Sequence, residues 1–297
     1  MAPRPQLRIS SLSRGWSAAP SITTVTKLAR PLSASSREAP TVSDNAIPEP
    51  PPKGWLSDLR SRLGRCFMFG CSPAQVAGAA PVLRALAREW RGLLAGSEGF
   101  LTGGRRGLEG QQVVWGEQDS FQHVNNINYN RWAESSRVNW VTNFAVHVDP
   151  AHRKEWAELM TPKSVGLILK SIKTDYKFPV TYPDYVSVYH KLRFPPSAQP
   201  SPSSLILDAV IFSHRHQRVA ARTEEDIVVY DYRSAKKTEV PSFMQDVLED
   251  TFRLQELEKA RARTRIWELV RSVERLEKET WDRPDAVEDN GNATKVK

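Results

Sequence analysis

The strongest constraint on this chain's fold is a two-residue alternation of apolar side chains across residues 184–231. Val186, Val188 and Leu192 form one run, and Leu205, Leu207, Ala209 and Ile211 form the next. Residues 217–231 supply a last long strand. Alternate positions share one face of a strand, so such runs read as half-buried β-strands. Residues 195–204 are Pro- and Ser-rich and read as a loop longer than a tight hairpin needs. His214 and His216 alternate on the expected strand and share its face. No Cys, Asp or Glu stands near them at ligand spacing, so no metal site is expected there.

Upstream, residues 111–115 form a short strand pattern and 116–123 a polar loop. Residues 124–134 then open a helix whose expected buried positions are Ile127, Trp132, Val138, Val141 and Phe144. A helix start presents unpaired backbone N–H groups and a partial positive charge, which suit the oxygen of a polarised carbonyl. Asp119 lies a few residues earlier. A carboxylate beside an oxyanion site is sufficient equipment for thioester hydrolysis. Taken alone the pattern is unspecific, because many aspartates before helices only cap them.

The run Trp115-Gly116, Asp119, His123-Val124-Asn125-Asn126, Tyr129, Glu134 and Arg137 resembles the opening of the 4-hydroxybenzoyl-CoA thioesterase branch of hotdog-fold acyl-CoA thioesterases. Residues 164–177 with Asp175-Tyr176 and Pro179 are similar to that family's second strand, and Pro241 with the following helix to its closing segment. The resemblance covers about half of the chain. It implies an α+β hotdog fold, an antiparallel sheet wrapped around a long central helix, here with helical N- and C-terminal extensions. It also implies at least a homodimer, substrate at the interface of two protomers, and no metal or redox cofactor.

Carried over residue by residue, the resemblance makes Asp119 the general base or nucleophile. It puts the carbonyl-polarising backbone N–H at Asn126. His123 and Asn125 are expected to order the turn and cap the helix, and Tyr129 to pack or line the substrate. Glu134 and Arg137, three apart on one helix, are expected to form a solvated or interface ion pair. Gln122 departs from the family, which has Gly directly before the His. Glycine there permits a special backbone angle or a close approach.

The net charge of +8 is unevenly spread. Residues 1–110 hold 15 Lys and Arg against 7 Asp and Glu, and the remainder is balanced at 27 each. A neutral domain lacks the electrostatic footprint of a nucleic-acid binder. Residues 1–37 contain no acid and scatter six basic residues among serines and threonines, the composition of a mitochondrial transit peptide. A Pro-rich linker is expected over 38–54 and a helical extension over 55–110. Within the extension Ser72-Pro73-Ala74-Gln75 signals a helix start, and Val76, Ala79, Ala80, Leu83, Leu86, Ala87, Trp90, Leu93 and Leu94 recur at helical spacing. The hotdog domain is expected over 111–250, a charged C-terminal helix over 251–282 with an apolar stripe at Ile266, Leu269, Val270, Val273 and Leu276, and a disordered tail over 283–297. Cys66 and Cys71 are too few for a disulfide framework or a zinc site and read as reduced packing residues. No apolar run is long enough to span a membrane.

Two functions follow as expectations. One is a matrix thioesterase that hydrolyses an acyl-CoA or acyl-carrier-protein thioester. The other is a non-catalytic hotdog subunit that binds or scaffolds a mitochondrial assembly.

Overall fold

The computed structural model describes residues 47–288. The transit peptide expected at 1–37, most of the linker and part of the C-terminal tail lie outside the described residues.

Three helical segments come first: α1 (Trp55–Met68), α2 (Pro73–Arg84) and α3 (Trp90–Gly96). The start of α2 is a complete capping box, with Ser72 Oγ accepting the Gln75 N–H at 3.3 Å and Gln75 Oε1 accepting the Ser72 N–H at 2.8 Å. A π-helical turn, Ala85–Glu89, joins α2 to α3. The buried stripe of this rod is Ala79, Val82, Leu86, Trp90 and Leu93, while Val76 and Leu83 face outward, against the sequence expectation. Cys66 is buried, and the Cys71 thiol donates to the Cys66 carbonyl at 3.5 Å.

Strand β1 (Leu108–Val113) leads through a single turn of 3₁₀ helix into α4 (Asn126–Asn143). A π-helical turn, Phe144–Val148, and the short α5 (Arg153–Glu158) follow. Then come β2 (Val165–Tyr176), β3 (Asp184–Leu192), β4 (Ser204–Ser213), β5 (Arg218–Asp231), the two-residue β6 (Lys236–Lys237) and α6 (Ser242–Thr280). The helix expected to begin at 251 is therefore the second part of a single 39-residue helix. β4 ends at Ser213, so His214 and His216 sit on the β4–β5 turn and not on one strand face. His214 shares a 2.8 Å hydrogen bond with Ser187, and His216 packs against Phe178.

The strands form one antiparallel sheet in the order β1-β3-β4-β5-β2, with β6 against β5. Pairs such as Val188–Ile211 and Leu207–Glu225 set the register, and the alternation of side chains follows from it. One face buries Val186, Val188, Ala209 and Ile211 against α4 residues Tyr129 and Trp132. The opposite face buries Tyr189, Val210 and Phe212 under α1, the α2–α3 rod and the second half of α6. A further apolar cluster joins Trp140 and Phe144 to Trp156 of α5 and to Met244 and Leu248 of α6. The architecture is thus a sheet wrapped on α4, the hotdog arrangement, with a helical layer on its other side.

The inner face of α4 is Asn128, Tyr129, Trp132, Ala133, Ser136, Arg137, Trp140 and Val141. Their spacing is regular for a helix, but Asn128, Ser136 and Arg137 are polar, which explains the noise in the apolar pattern. Ile127 and Val138, both expected inside, are exposed. No helix among the described residues is long and apolar enough to cross a membrane.

Candidate active site

The segment from Val114 to Asn126 folds back on itself before entering α4. The Asp119 N–H donates to the His123 carbonyl at 2.8 Å, and the Gln122 N–H donates to the Asp119 carbonyl at 3.0 Å. Gln118 and Val124 form an isolated antiparallel bridge beneath this turn. Closing so tight a turn requires one residue with a left-handed backbone, and Gln122 takes it at φ +62°. That is the position where the resembled family has glycine, so glutamine bears a steric cost of about 1 kcal/mol there. The turn still closes with Gln122 in place.

The loop is tied down on both sides. The Asn125 N–H donates to the Glu117 carbonyl at 2.8 Å, and Asn128 Nδ2 donates to the same carbonyl at 3.1 Å. Across the sheet end, the Val124 N–H donates to the Val180 carbonyl at 2.8 Å, and the Tyr182 N–H donates to Gln118 Oε1 at 2.7 Å. The β2–β3 connection therefore positions the turn as firmly as β1 does.

Asp119 sits half-buried on this frame. Its Oδ1 accepts the Phe121 N–H at 2.8 Å, and Oδ2 has no partner among the described residues. Asn125 caps α4, its Oδ1 accepting the Ile127 N–H at 3.0 Å. Asn126, the first helical residue, has a backbone N–H that donates to nothing among the described residues. The His123 side chain is exposed, and its carbonyl orders the turn. Tyr129 is buried, its hydroxyl oxygen accepting the Val180 N–H at 3.0 Å, and burial pushes its phenol above the ordinary value. Tyr129 thus anchors the β2–β3 connection to α4.

Tyr176, named from sequence only as a landmark of the second strand, reaches the site: its hydroxyl donates to the Asn126 carbonyl at 3.3 Å, and its ring meets Tyr129 edge-on at 5.2 Å. Gln118 and Asn128, which hold the loop by side-chain amides, were not singled out from sequence. Gln118 acts on Tyr182, 64 positions away, which local patterns do not signal.

The expected Glu134–Arg137 pair does not form. Arg137 turns inward and donates to Glu225 of β5 at 2.7 Å. His190 lies beside it, with Nε2 at 3.3 Å from Glu225 and Nδ1 at 2.9 Å from Ser136 Oγ. Ser136 Oγ also donates to the Val188 carbonyl and accepts the Leu108 N–H. Burial pushes the Glu225 carboxyl up, but His190 and Arg137 outweigh it and hold the group below the usual carboxylate range. Ser136, His190 and Glu225 are fully enclosed, so this network fixes α4 to the sheet and does not meet substrate.

Three large apolar side chains of this segment are exposed, Trp115 by 73%, Phe121 by 79% and Ile127 by 61%, among the exposed polar residues Ser120, Gln122, His123, Asn125 and Asn126. No group of three or more His, Cys, Asp or Glu side chains arranged to hold a metal occurs among the described residues.

Residues 113–248 match the family described as the Thioesterase-like superfamily. Solved structures similar to the chain include the YbaW protein of Escherichia coli, 22% identical over 49% of this chain and 98% of that one, TM-score 0.39. A thioesterase of Thermus thermophilus, complexed with coenzyme A and zinc, is 16% identical over 52% and 96%, TM-score 0.39. The DHNA-CoA thioesterase of Staphylococcus aureus is 14% identical over 59% and 94%, TM-score 0.37. No curated protein matches the chain.

Proposed function

We infer the chemistry from one premise: residues 113–248 belong to the thioesterase-like superfamily, and this domain is a thioester hydrolase. The observation that carries the assignment of its site is the turn itself. A carboxylate with one free oxygen and a helix-initial N–H with no protein acceptor sit on one hydrogen-bonded loop, Asp119 to Asn126. In this proposal the thioester oxygen accepts the Asn126 N–H at the positive end of α4, where charge builds up on that oxygen as the carbonyl is attacked.

Asp119 then acts by one of two routes. As a general base it takes a proton from water while the water oxygen bonds to the carbonyl carbon. The C–S bond breaks, and the thiolate leaves and is protonated. As a nucleophile it forms an acyl-enzyme anhydride, expelling the thiolate, and water cleaves that anhydride in a second step. Both routes release a free acid and a thiol. The thiol carrier in this proposal is coenzyme A or an acyl carrier protein.

The acting unit is proposed to be a homodimer. Trp115, Phe121 and Ile127 are large apolar side chains exposed on the segment that carries Asp119, and a second copy would cover them. Among the described residues β2 is a 12-residue edge strand paired only with β5, and that edge suits strand addition. The acid-free, basic first 37 residues support import into the mitochondrial matrix.

The test is thiol release, followed by absorbance, over a panel of acyl-CoA esters. Wild type should turn over at least one ester, and Asp119→Asn should fall by roughly a hundredfold to ten-thousandfold. The two proteins should melt at the same temperature. Equal turnover removes Asp119 from the site. Silence across the panel, together with co-purification in a large assembly, favours the scaffold reading.

A further inference from the structure

Helix α2 is apolar on two sides. Ala79 and Val82, with Leu86 of the π turn, pack against the layer beneath. Pro73, Val76, Ala80 and Leu83 recur at helical spacing as a second stripe on its outer side. Val76 is 44% exposed and Leu83 45%, and Ala77, Gly78 and Pro81 continue the exposed arc. From Pro73 to Leu83 the helix carries no charged residue. An exterior helix ordinarily turns charged or polar side chains to water, and one that is apolar all round is buried. The outer arc of α2 has no cover among the described residues.

The charge around the arc points to what covers it. Residues 47–96, which build α1, α2 and α3, hold seven Lys and Arg against three Asp and Glu, whereas residues 111–297 are balanced. One of the seven, Arg62, is taken by Glu277 at 2.6 Å. Arg84 ends α2 and Arg88 follows in the π turn, and both are exposed. Arg60 Nη2 donates to the Leu86 carbonyl at 3.1 Å, which places it beside the same turn from the α1 side. On the other flank Arg275 of α6 lines a groove with Ala74, Gln75 and Gly78. Glu279 shares that groove, and Glu89 is drawn toward Arg265 at 3.9 Å. A second copy docked on the arc would bring two basic layers together, which is unfavourable. An anionic surface attracts the whole layer and needs no fixed geometry among its cations.

We propose that α2 lies on the surface of a bilayer containing anionic phospholipid, with Val76, Ala80 and Leu83 entering the boundary between head groups and acyl chains. Arg60, Arg84, Arg88 and Arg275 meet the lipid phosphates around that stripe, their aliphatic stems covering apolar surface while the charged ends stay in water. The contact is peripheral, because α2 has 12 residues and a spanning helix needs about 20. α2 belongs to the layer on the sheet face turned away from α4, so the contact takes no part of the Asp119 turn. The inference goes beyond the thioesterase reading and does not depend on Asp119.

The test is flotation of the full chain with vesicles of phosphatidylcholine, alone or mixed with anionic phosphatidylglycerol. Wild type should partition onto the mixed vesicles at least about tenfold better than onto the neutral ones, and added salt should weaken it. Val76→Glu with Leu83→Glu should lower that partition by at least about tenfold, and Arg84→Gln with Arg88→Gln by about as much. Arg84→Lys with Arg88→Lys should bind as wild type does, because a bilayer reads charge and not the guanidinium fork. All these side chains are exposed, so each variant should melt with wild type. Hydrogen exchange of wild type, which needs no variant, should slow over residues 73–88 when mixed vesicles are added. The basic, acid-free first 37 residues are present in every protein compared. Binding by that segment alone would leave the glutamate and glutamine variants equal to wild type, and this result overturns the proposal. So does no flotation with mixed vesicles, equal partition onto both vesicle types, or unchanged exchange over residues 73–88. A self-association of wild type that the glutamate variant abolishes also overturns it, because it assigns the arc to a second copy.

Discussion

Gln255 of α6 completes the hydrogen bonding of Leu192 at the end of β3. Its Oε1 accepts the Leu192 N–H at 2.9 Å, and its Nε2 donates to the Leu192 carbonyl at 2.9 Å. Both residues are buried, so the side-chain amide stands in for the strand that β3 lacks there. The long helix is bound to the sheet by this pair and by the apolar layer around it. We therefore expect Gln255→Leu to cost about 2–4 kcal/mol, because two backbone groups lose their partners out of reach of water. Urea denaturation monitored by tryptophan fluorescence reads this loss directly.

Arg137 and Glu225 provide a second test. Removing only the cation, in Arg137→Met, leaves a buried carboxylate with only His190 and the Thr223 hydroxyl beside it, and the expected cost is about 3–5 kcal/mol. The double variant Arg137→Met with Glu225→Leu should recover much of that loss. Recovery would show that the pair orients α4 and adds little net stability of its own.

The same carboxylate has a pH signature. Its folded value lies below the usual one, so it contributes stability above the unfolded value of about 4.3 and loses it as pH falls through the folded value. The melting temperature of wild type should therefore drop on acidification below about pH 4.3, and that of Glu225→Gln should drop less steeply.

Gly107 lies against this network. A β-carbon there would stand 2.0 Å from Ser136 Oγ and 2.6 Å from the Val188 carbonyl. Gly107→Ala should destabilise the domain by about 1–3 kcal/mol. Adding Ser136→Ala should relieve only part of this, because the backbone contact remains. Chemical denaturation of the single and double variants tests the order.

In the catalytic turn, Asn125→Ala should cost about 1 kcal/mol through loss of the α4 cap. Asn126→Ala should leave turnover almost unchanged, since the proposed donor is its backbone N–H. Replacing Gln122 by valine should destabilise by about 1 kcal/mol or more, because a β-branched side chain tolerates a φ near +62° poorly. Thermal melts with parallel thiol-release assays separate the three effects.

The strands, α4 and both helical extensions were legible in the chain because each rests on local physics. Alternation over Leu205–Ile211 makes a strand wherever its apolar face finds cover, and Ser72 to Gln75 cap a helix without help from elsewhere. The positive φ at Gln122 was foreshadowed by the glycine expected there. Tertiary structure alone decided which charges would be buried. Arg137 chose Glu225, 88 positions away, over Glu134 on its own helix, because α4 turns that face into the sheet, where no water competes for the ion. It also decided that the second half of α6 packs with α1 and the α2–α3 rod on the sheet face turned away from α4. Local sequence encodes which backbone shapes are cheap; desolvation, which sets partners and sites, depends on what the fold brings alongside.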